Sequence, residues 1–283
     1  MAAVAIKEAL TRAVEDLKLK GIDTARIDAE VLLAFVLKIS RTDLYIKSEE
    51  LINEDRLAQF FSIVSRRGDR EPVAYLTGER EFMSLSFVTN KNVLIPRPET
   101  EILVEEALAI KPLRIIDVGT GSGAIAVSLA HYLPECRVWA VDISSKALAV
   151  ARLNANRHGV EERISFYQGD LLAPLSSSEF FGSFDLITAN LPYIPTPEID
   201  NLPIDVRGFE PLGALDGGVD GLKYYCELGL KAFELLIDNG VILLEVGYSQ
   251  ASQIRDALEN WGFRETTILR DLAGIDRIVK AVK

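Results

Sequence analysis

The 283 residues, 48% of them hydrophobic, suffice for two domains with a sizeable core, and the net charge of −11 disfavours a broad basic surface for nucleic acid. The two cysteines and two histidines are too few for a disulfide framework and disfavour a histidine-based metal or triad site. No apolar run reaches the roughly 18 residues of a transmembrane helix, and the N-terminus lacks the layout of a signal peptide, so we expect a cytoplasmic protein.

Residues 1–76 are predicted to form a small helical domain. In the first helix, apolar residues recur at steps of four and three, at Ile6, Leu10, Val14 and Leu17. A second apolar-periodic stretch covers residues 29–37, and Asn53 can cap a third helix that runs to about residue 64. Residues 71–76 form a short fourth helix, so the expected product is a helical bundle.

Residues 77–95 are predicted to form a β-hairpin that links two domains. Apolar residues lie on both sides of the turn-prone Asn90-Lys91-Asn92, which places the hairpin turn there. Pro96 and Pro98 then stiffen the start of the second domain, which we assign to residues 96–283.

Strands and helices alternate in the second domain, which is typical of a doubly wound parallel α/β sheet. The predicted strands are residues 114–118, 137–141, 164–167, 184–189, 241–246, 265–269 and 277–282, and the predicted helices are 124–132, 146–157, 222–237 and 249–260. Residues 270–276 are too short for a parallel crossover, so the last strand should be antiparallel. By analogy, this is the Rossmann-like layout of class I methyltransferases.

A glycine-rich loop follows the first strand of this sheet, with the residues Gly119, Thr120, Gly121, Ser122 and Gly123. Such a loop lets the backbone approach a nucleotide-like ligand at a helix N-terminus. The loop also satisfies the dinucleotide pattern G-x-G-x-x-A, so by itself it fits a nicotinamide cofactor, S-adenosylmethionine or a plain tight turn.

Carboxylates end the next two strands. Asp142 can accept hydrogen bonds from ribose hydroxyls, or it can simply cap the helix that starts near residue 145. Asp170 would face an adenine amino group with the Leu171 backbone beside it, unless it is an ordinary loop or cap residue. Together with the glycine loop, these positions outline a cofactor site.

The motif Asn190-Leu191-Pro192-Tyr193 follows the fourth strand and indicates methyl transfer to a planar –NH2 group. A delocalised amine is a poor nucleophile and carries two N–H donors that need acceptors once buried. The Asn190 side-chain oxygen and the residue 191 carbonyl can supply them and favour the positive charge that develops on nitrogen. Tyr193 can pack flat on the planar group, and Pro192 stiffens the turn. The alternative is an ordinary strand-ending turn.

Motifs along nearly the whole chain resemble the PrmC/HemK family of protein-(glutamine-N5) methyltransferases of release factors. They include Glu71-Pro-Val-Ala-Tyr-Leu-Thr-Gly78, Val93-Leu-Ile-Pro-Arg-Pro-Glu-Thr-Glu101, Ile116-Asp-Val-Gly-Thr-Gly-Ser-Gly-Ala124, Phe209-Glu-Pro211, Ala214-Leu-Asp-Gly-Gly218, Asp220-Gly221 and Leu243-Leu-Glu-Val-Gly247 with Gln250. Their order and spacing carry the resemblance.

The resemblance implies that the helical domain helps to hold a release factor, whose Gly-Gly-Gln glutamine is methylated to N5-methylglutamine, giving S-adenosylhomocysteine. It implies cofactor contacts from the loop glycines, Asp142, Asp170 or Leu171, and Asn190, and substrate contacts from residues 190–193. It also implies that Arg97, Glu99 and Thr100 line the methionine end, although the stretch also suits a rigid domain connector. We expect a monomer that binds neither membrane nor specific nucleic-acid sequences.

One position departs from the family pattern, because Leu191 replaces the first proline of Asn-Pro-Pro-Tyr. The proposed role uses only the backbone carbonyl, so the change should be tolerated. The motif is also similar to that of ribosomal-RNA adenine dimethyltransferases, in which Tyr193 would stack on a base. A basic groove beside Asn190 would favour that alternative, and a third reading is a non-catalytic adaptor.

Overall fold

The computed structural model describes residues 4–283 and divides into two compact units. The first comprises the residues up to Glu79 together with Pro203–Phe209, and the second comprises Arg80–Leu202 with Glu210–Lys283. The first unit therefore includes a short segment that comes from within the sequence of the second.

The first unit is a helical bundle. Its helices are α1 (Ile6–Leu19), α2 (Ala25–Leu37), α3 (Arg41–Ile46), α4 (Glu54–Gly68) and α5 (Val73–Thr77), and β1 (Val4–Ala5) pairs with β2 (Leu51–Ile52). Leu17, Leu32 and Phe60 are fully buried in its core. Asn53 caps α4 as predicted, because its side chain accepts a hydrogen bond from the Arg56 amide at 2.8 Å.

Helix α3 was not predicted from the apolar periodicity. It has six residues and buries only Leu44, so no repeat of apolar positions could mark it. A sequence signal was nevertheless present, because Ser40 and Asp43 form a reciprocal capping box at its start.

A buried ion-pair cluster ties the inserted segment to the bundle. Arg67 on α4 donates to Asp28 on α2 and to Asp205 at the helical turn Ile204–Arg207, both at 2.7 Å. The Arg67 side chain is only 8% exposed and that of Asp28 is 10% exposed. A carboxylate and a guanidinium this deeply buried need each other as partners.

The β-hairpin lies earlier in the chain than predicted. Its strands are β3 (Glu79–Phe82) and β4 (Leu85–Val88), and Met83 and Ser84 form the turn with positive φ angles of 49° and 57°. The prediction of a turn at residues 90–92 between strands is wrong, since residues 93–95 belong to no strand. Their apolar pattern has another cause, because Val93 is buried against Ala147 and Val150.

The second unit contains a seven-stranded sheet with the order β10-β11-β9-β8-β5-β6-β7. The strands are β5 (Arg114–Val118), β6 (Arg137–Asp142), β7 (Ile164–Gln168), β8 (Phe184–Ala189), β9 (Leu236–Glu245), β10 (Arg264–Arg270) and β11 (Asp276–Val282), and the helices are α6 (Glu101–Ile110), α7 (Ala124–Tyr132), α8 (Ser145–Arg157), α9 (Lys223–Leu235) and α10 (Ala251–Asn260). Strand β11 runs antiparallel to β9 and β10, whereas β5 to β9 pair in parallel.

The doubly wound fold with an antiparallel last strand is thereby confirmed. One boundary differs, because β9 begins at Leu236, inside the predicted helix, and its pairing with β8 shifts register between Phe184 and Leu186. The chain reverses its strand order at β5, which pairs with β6 on one side and β8 on the other. Open parallel sheets bind ligands at such a switch point, outside the carboxyl ends of the strands. Across residues 4–283, no helix combines the length and the apolar character needed to cross a bilayer.

Candidate active site

A cavity of about 340 Å³ lies at the carboxyl ends of β5, β6, β7 and β8. Most of the predicted site residues line it: Arg97, Thr100, Gly119, Thr120, Gly121, Ser122, Asp142, Asp170, Leu171, Asn190, Leu191 and Pro192. Gly123, Glu99 and Tyr193 do not line it. The volume is in the range of small-molecule sites.

The glycine loop is folded back on the neighbouring strand. The amides of Gly119 and Thr120 both donate to the Val141 carbonyl, at 2.8 and 3.0 Å. Gly119 has a φ of +72°, and a Cβ at this position would lie 3.1 Å from Leu191 Cδ2. A side chain here would therefore be strained and would crowd the turn after β8. Gly123 is instead the N-cap of α7, and a Cβ at this position would lie 3.1 Å from the Cβ of Ala151.

Asp142 is oriented by the backbone around it. One carboxylate oxygen accepts from the Gly121 amide and the other from the Ser144 amide, each at 2.8 Å. The cap of α8 is Ser144, whose hydroxyl accepts from the Ala147 amide at 3.2 Å, so Asp142 is not the cap residue. Burial raises the pKa of Asp142 above its usual value. Each oxygen keeps a lone pair for a ligand hydroxyl.

Asp170 and Leu171 follow β7 at the next edge of the cavity. Asp170 is exposed and Leu171 has a positive φ of 45°, in the left-handed region that a leucine seldom occupies. The Gly169 amide donates to the Asp142 carbonyl at 3.0 Å, which joins the ends of β7 and β6. The two predicted cofactor carboxylates therefore end adjacent strands beside one cavity.

Asn190 is the first residue after β8 and is half-buried. Its amide nitrogen Nδ2 donates to the Thr100 hydroxyl at 3.2 Å, which leaves its oxygen Oδ1 as an acceptor. The Leu191 carbonyl receives only a long contact of 3.5 Å from the Tyr225 hydroxyl, because that hydroxyl donates to the Glu245 carbonyl at 2.6 Å. A hydroxyl has one proton, so the Leu191 carbonyl retains capacity for a substrate donor.

The backbone of Tyr193 is held by hydrogen bonds from the loop that follows β9. Its carbonyl accepts from Gln250 Nε2 at 2.8 Å, and Gln250 Oε1 accepts from the Gly247 amide at 2.9 Å. A Cβ on Gly221, where φ is +76°, would lie 2.2 Å from the Tyr193 carbonyl oxygen. Burial, and secondarily the nearby Glu245, raises the pKa of Tyr193 to about 12. The Tyr193 hydroxyl therefore stays protonated at neutral pH.

Glu210 fixes the proline-rich segment that borders the cavity. Its carboxylate is buried and accepts from the Ile95 amide at 3.1 Å and from Arg97 at 2.5 Å. Arg97 lines the cavity and is itself about one-third exposed. The segment therefore forms part of the cavity wall and is also held rigidly by Glu210, so the two alternatives given by the sequence are compatible.

Other residues line the cavity that were not predicted as site residues: Asn92, Val93, Leu94, Pro96, Ile143, Ser144, Ala147, Pro211, Gly213, Ala214 and Tyr224. Part of this set belongs to motifs on which the family resemblance rests, namely Val93, Leu94, Pro96, Pro211 and Ala214. No spacing rule, however, connects residues 211–214 with a loop after β5.

The charged side chains that line the cavity are Arg97, Asp142 and Asp170. Arg97 is already paired with Glu210. The charged lining of this cavity therefore consists of two carboxylates and one guanidinium.

Comparison with known proteins agrees with this architecture. The family description "PrmC N-terminal domain" matches residues 8–78, and "Methyltransferase domain" matches residues 111–270. A release factor glutamine methyltransferase from Moorella thermoacetica is 43% identical over an alignment of 283 positions, which covers 98% of this chain and 98% of that protein. One from Geobacter sulfurreducens is 41% identical over 262 residues, covering 92% of this chain and 90% of that protein.

Solved structures share the fold at lower identity. A methyltransferase from Pyrococcus furiosus has a TM-score of 0.54 and 16% identity, with 82% of this chain and 99% of that chain covered. The hMettl16 catalytic domain, solved in complex with a 3′UTR hairpin, has a TM-score of 0.57 and 14% identity, with 82% and 84% covered. At this identity the likeness shows the fold alone.

Proposed function

We propose, from the premise that this chain belongs to the release factor glutamine methyltransferase family, that it methylates the side-chain amide nitrogen N5 of the glutamine in a release factor Gly-Gly-Gln motif. One observation carries the proposal. The Asn190 amide nitrogen donates to Thr100, which leaves the Asn190 amide oxygen as an acceptor. This oxygen and the Leu191 carbonyl oxygen, next in sequence, form a pair of acceptors for one –NH2 group.

The methyl donor is S-adenosyl-L-methionine, which supplies an electrophilic methyl group on a sulfonium. The residues beside the cavity fit such a ligand, because Gly119 and Gly121 hold the positive φ angles that bring the loop backbone to the cavity wall, and Asp142 keeps free lone pairs. Asp142 would accept from ribose hydroxyls, and Asp170 with the Leu171 backbone would border the adenine. Arg97 and Thr100, which line the cavity, would lie towards the methionine end, and Glu99, which does not line it, would act only indirectly.

Asn190 and Leu191 would act on the substrate amide itself. Their two oxygens accept its two N–H donors and so fix the direction of the nitrogen lone pair. The same oxygens stabilise the positive charge that develops on nitrogen as the bond to the methyl group forms. Because the methylated nitrogen is very acidic before it loses its proton, no strong base is required of these residues.

The departure at residue 191 does not weaken this arrangement. The proposed acceptor is the backbone carbonyl, and the Leu191 side chain is buried next to Gly119. Pro192 restricts Leu191 to an extended backbone, which keeps the carbonyl directed as the motif requires.

A labelling experiment tests the class of substrate. Purified protein and S-adenosylmethionine with a tritiated methyl group are incubated with a release factor made without its own modifying enzyme, mixed with ribosomal RNA. We expect label in the protein fraction. Label in the RNA fraction alone would overturn the proposal and favour an exocyclic base amine as substrate.

A further inference from the structure

Glu245 is a buried carboxylate at the site to which the proposed chemistry gives no role. Strands β8 and β9 are parallel neighbours, and Ala189 pairs with Leu244. Asn190 and Glu245, which directly follow these two residues, therefore lie side by side at the same edge of the sheet. Glu245 is 2% exposed, and within the described part of the chain its Oε2 has no hydrogen-bond partner. An unpartnered buried carboxyl oxygen costs stability, so its presence calls for a compensating role.

Thr100 lies between these two residues. Its hydroxyl oxygen accepts from Asn190 Nδ2 at 3.2 Å, and the same hydroxyl lies within reach of the Glu245 carboxyl, whose pKa it acts to lower. Thr100 is 4% exposed, so water competes little for either interaction. The three side chains therefore form a short buried chain from Glu245 to Asn190.

The direction of the protons along this chain decides which end of the Asn190 amide faces the cavity. An ionised carboxylate can only accept, so it takes the single hydroxyl proton of Thr100. The Thr100 oxygen is then left as an acceptor and can be satisfied only by the –NH2 end of Asn190. The amide oxygen of Asn190 must turn away from Thr100.

We infer that Glu245 and Thr100 are positioning residues that fix the Asn190 amide with its oxygen, not its nitrogen, available to the substrate –NH2 group. The inference rests on the proposed function, since it assigns these residues to the same methyl transfer. An amide turned the other way would present donors to donors and lose the acceptor that orients the substrate.

Protonation of Glu245 would release this constraint. Burial raises its pKa to about 7, while Thr100 and then Arg277 act to lower it. The titratable and charged groups that face it are Arg97, Glu99, Tyr193, Tyr225 and Arg277. Below that pH the carboxyl carries a proton and can donate to Thr100, so the hydroxyl is free to donate to the Asn190 oxygen instead. The turnover of the wild-type enzyme should therefore fall as the pH drops through about 7.

The test compares Thr100→Val, Thr100→Ser and Glu245→Gln with the wild type on an unmodified release factor. Thr100→Val should lower kcat about tenfold or more while changing KM and the calorimetric Kd for S-adenosylmethionine by less than about threefold. Thr100→Ser keeps the hydroxyl and should recover most of the rate. Thr266→Val, which removes a buried hydroxyl on β10, is the matched control and should leave kcat unchanged.

Glu245→Gln separates positioning from a merely structural role. A glutamine accepts through one atom and donates through another, so the proton order is no longer imposed, and the acid-side loss of kcat near pH 7 should disappear. Because the ionised form of Glu245 is disfavoured by burial, the variant should also be more heat-stable than wild type at pH 8. A wild-type kcat and pH profile in Thr100→Val and Glu245→Gln would overturn the inference. No methylation by the wild type would instead refute the proposed function.

Discussion

The side-chain amide of Gln250 holds the backbone of Tyr193, since Gln250 Nε2 donates to the Tyr193 carbonyl at 2.8 Å. Gln250 lies just before α10, whereas Tyr193 follows β8, so this bond joins the turns after two neighbouring strands. Gly217 joins the same arrangement, because its amide donates to the Ile194 carbonyl at 2.9 Å. The substrate turn is therefore fixed by residues distant in sequence.

Gly221→Ala should displace this turn. A methyl group at Gly221 would lie 2.2 Å from the Tyr193 carbonyl oxygen, so the backbone of residues 192–193 must shift. We expect kcat to fall at least about a hundredfold, because a shift of about 1 Å in a positioning element can cost that much. Steady-state methylation of a release factor measures it.

Gly274→Ala is the matched control for this variant. Gly274 has a φ of +80°, close to the +76° of Gly221, but a Cβ there meets nothing within 4 Å. It therefore carries the backbone strain without the collision. Equal losses of kcat in the two variants would show that crowding against Tyr193 is not the cause.

Asp142→Asn should weaken cofactor binding. The asparagine retains one acceptor oxygen, but its –NH2 group replaces the other. That –NH2 group would face the backbone N–H of Gly121 or of Ser144, so two hydrogen-bond donors would point at each other. We expect the Kd for S-adenosylmethionine, measured by calorimetry, to rise about 10- to 100-fold, or about 1.4–2.8 kcal/mol. Asp256→Asn on the exposed face of α10 should leave it unchanged. An unaltered Kd in Asp142→Asn would contradict the ribose role.

Arg67→Ala should destabilise the helical unit. It leaves Asp28 buried without its cation, and removing one partner of a buried pair costs about 3–5 kcal/mol. The neighbouring Arg66 pairs with Glu71 but is 52% exposed, so Arg66→Ala should cost at most about 1 kcal/mol. Urea unfolding followed by circular dichroism measures both. Similar midpoints for the two variants would show that the Arg67 cluster adds little stability.

Leu191→Pro should keep turnover within about tenfold of the wild type, a difference of about 1.4 kcal/mol. The change restores the usual family residue and preserves the backbone carbonyl. It also removes a buried side chain next to Gly119, so we expect the variant to have a lower melting temperature than the wild type. Complete inactivation in a folded variant would mean that the leucine side chain itself contributes to the site.

Local patterns predicted most of the sheet, because alternation of apolar strands and helices is a short-range property. Strand β8 and helix α7 have the boundaries expected from the sequence. The hairpin turn was misplaced because Val93 and Ile95 are apolar for another reason, burial without strand pairing. Periodicity reports burial, and it does not distinguish a paired strand from an extended segment packed on a helix.

Sequence motifs predicted the residues proposed to contact cofactor and substrate, but not the residues that hydrogen-bond to them and hold them in place. Asn190 and Asp142 stand at strand ends, where a sequence pattern can place them. The bonds from Thr100 to Asn190 and from Gln250 to Tyr193 span 90 and 57 residues. No spacing rule anticipates such contacts, because they depend on how distant loops meet in three dimensions.

The most direct test of the central claim is peptide mass spectrometry of a release factor produced without its own modifying enzyme and then incubated with this protein and S-adenosylmethionine. We predict one added methyl group on the glutamine of the Gly-Gly-Gln peptide, and none when Asn190→Ala replaces the wild type although that variant still binds the cofactor. An unmodified Gly-Gly-Gln peptide after incubation with folded, cofactor-binding wild-type protein would contradict the account.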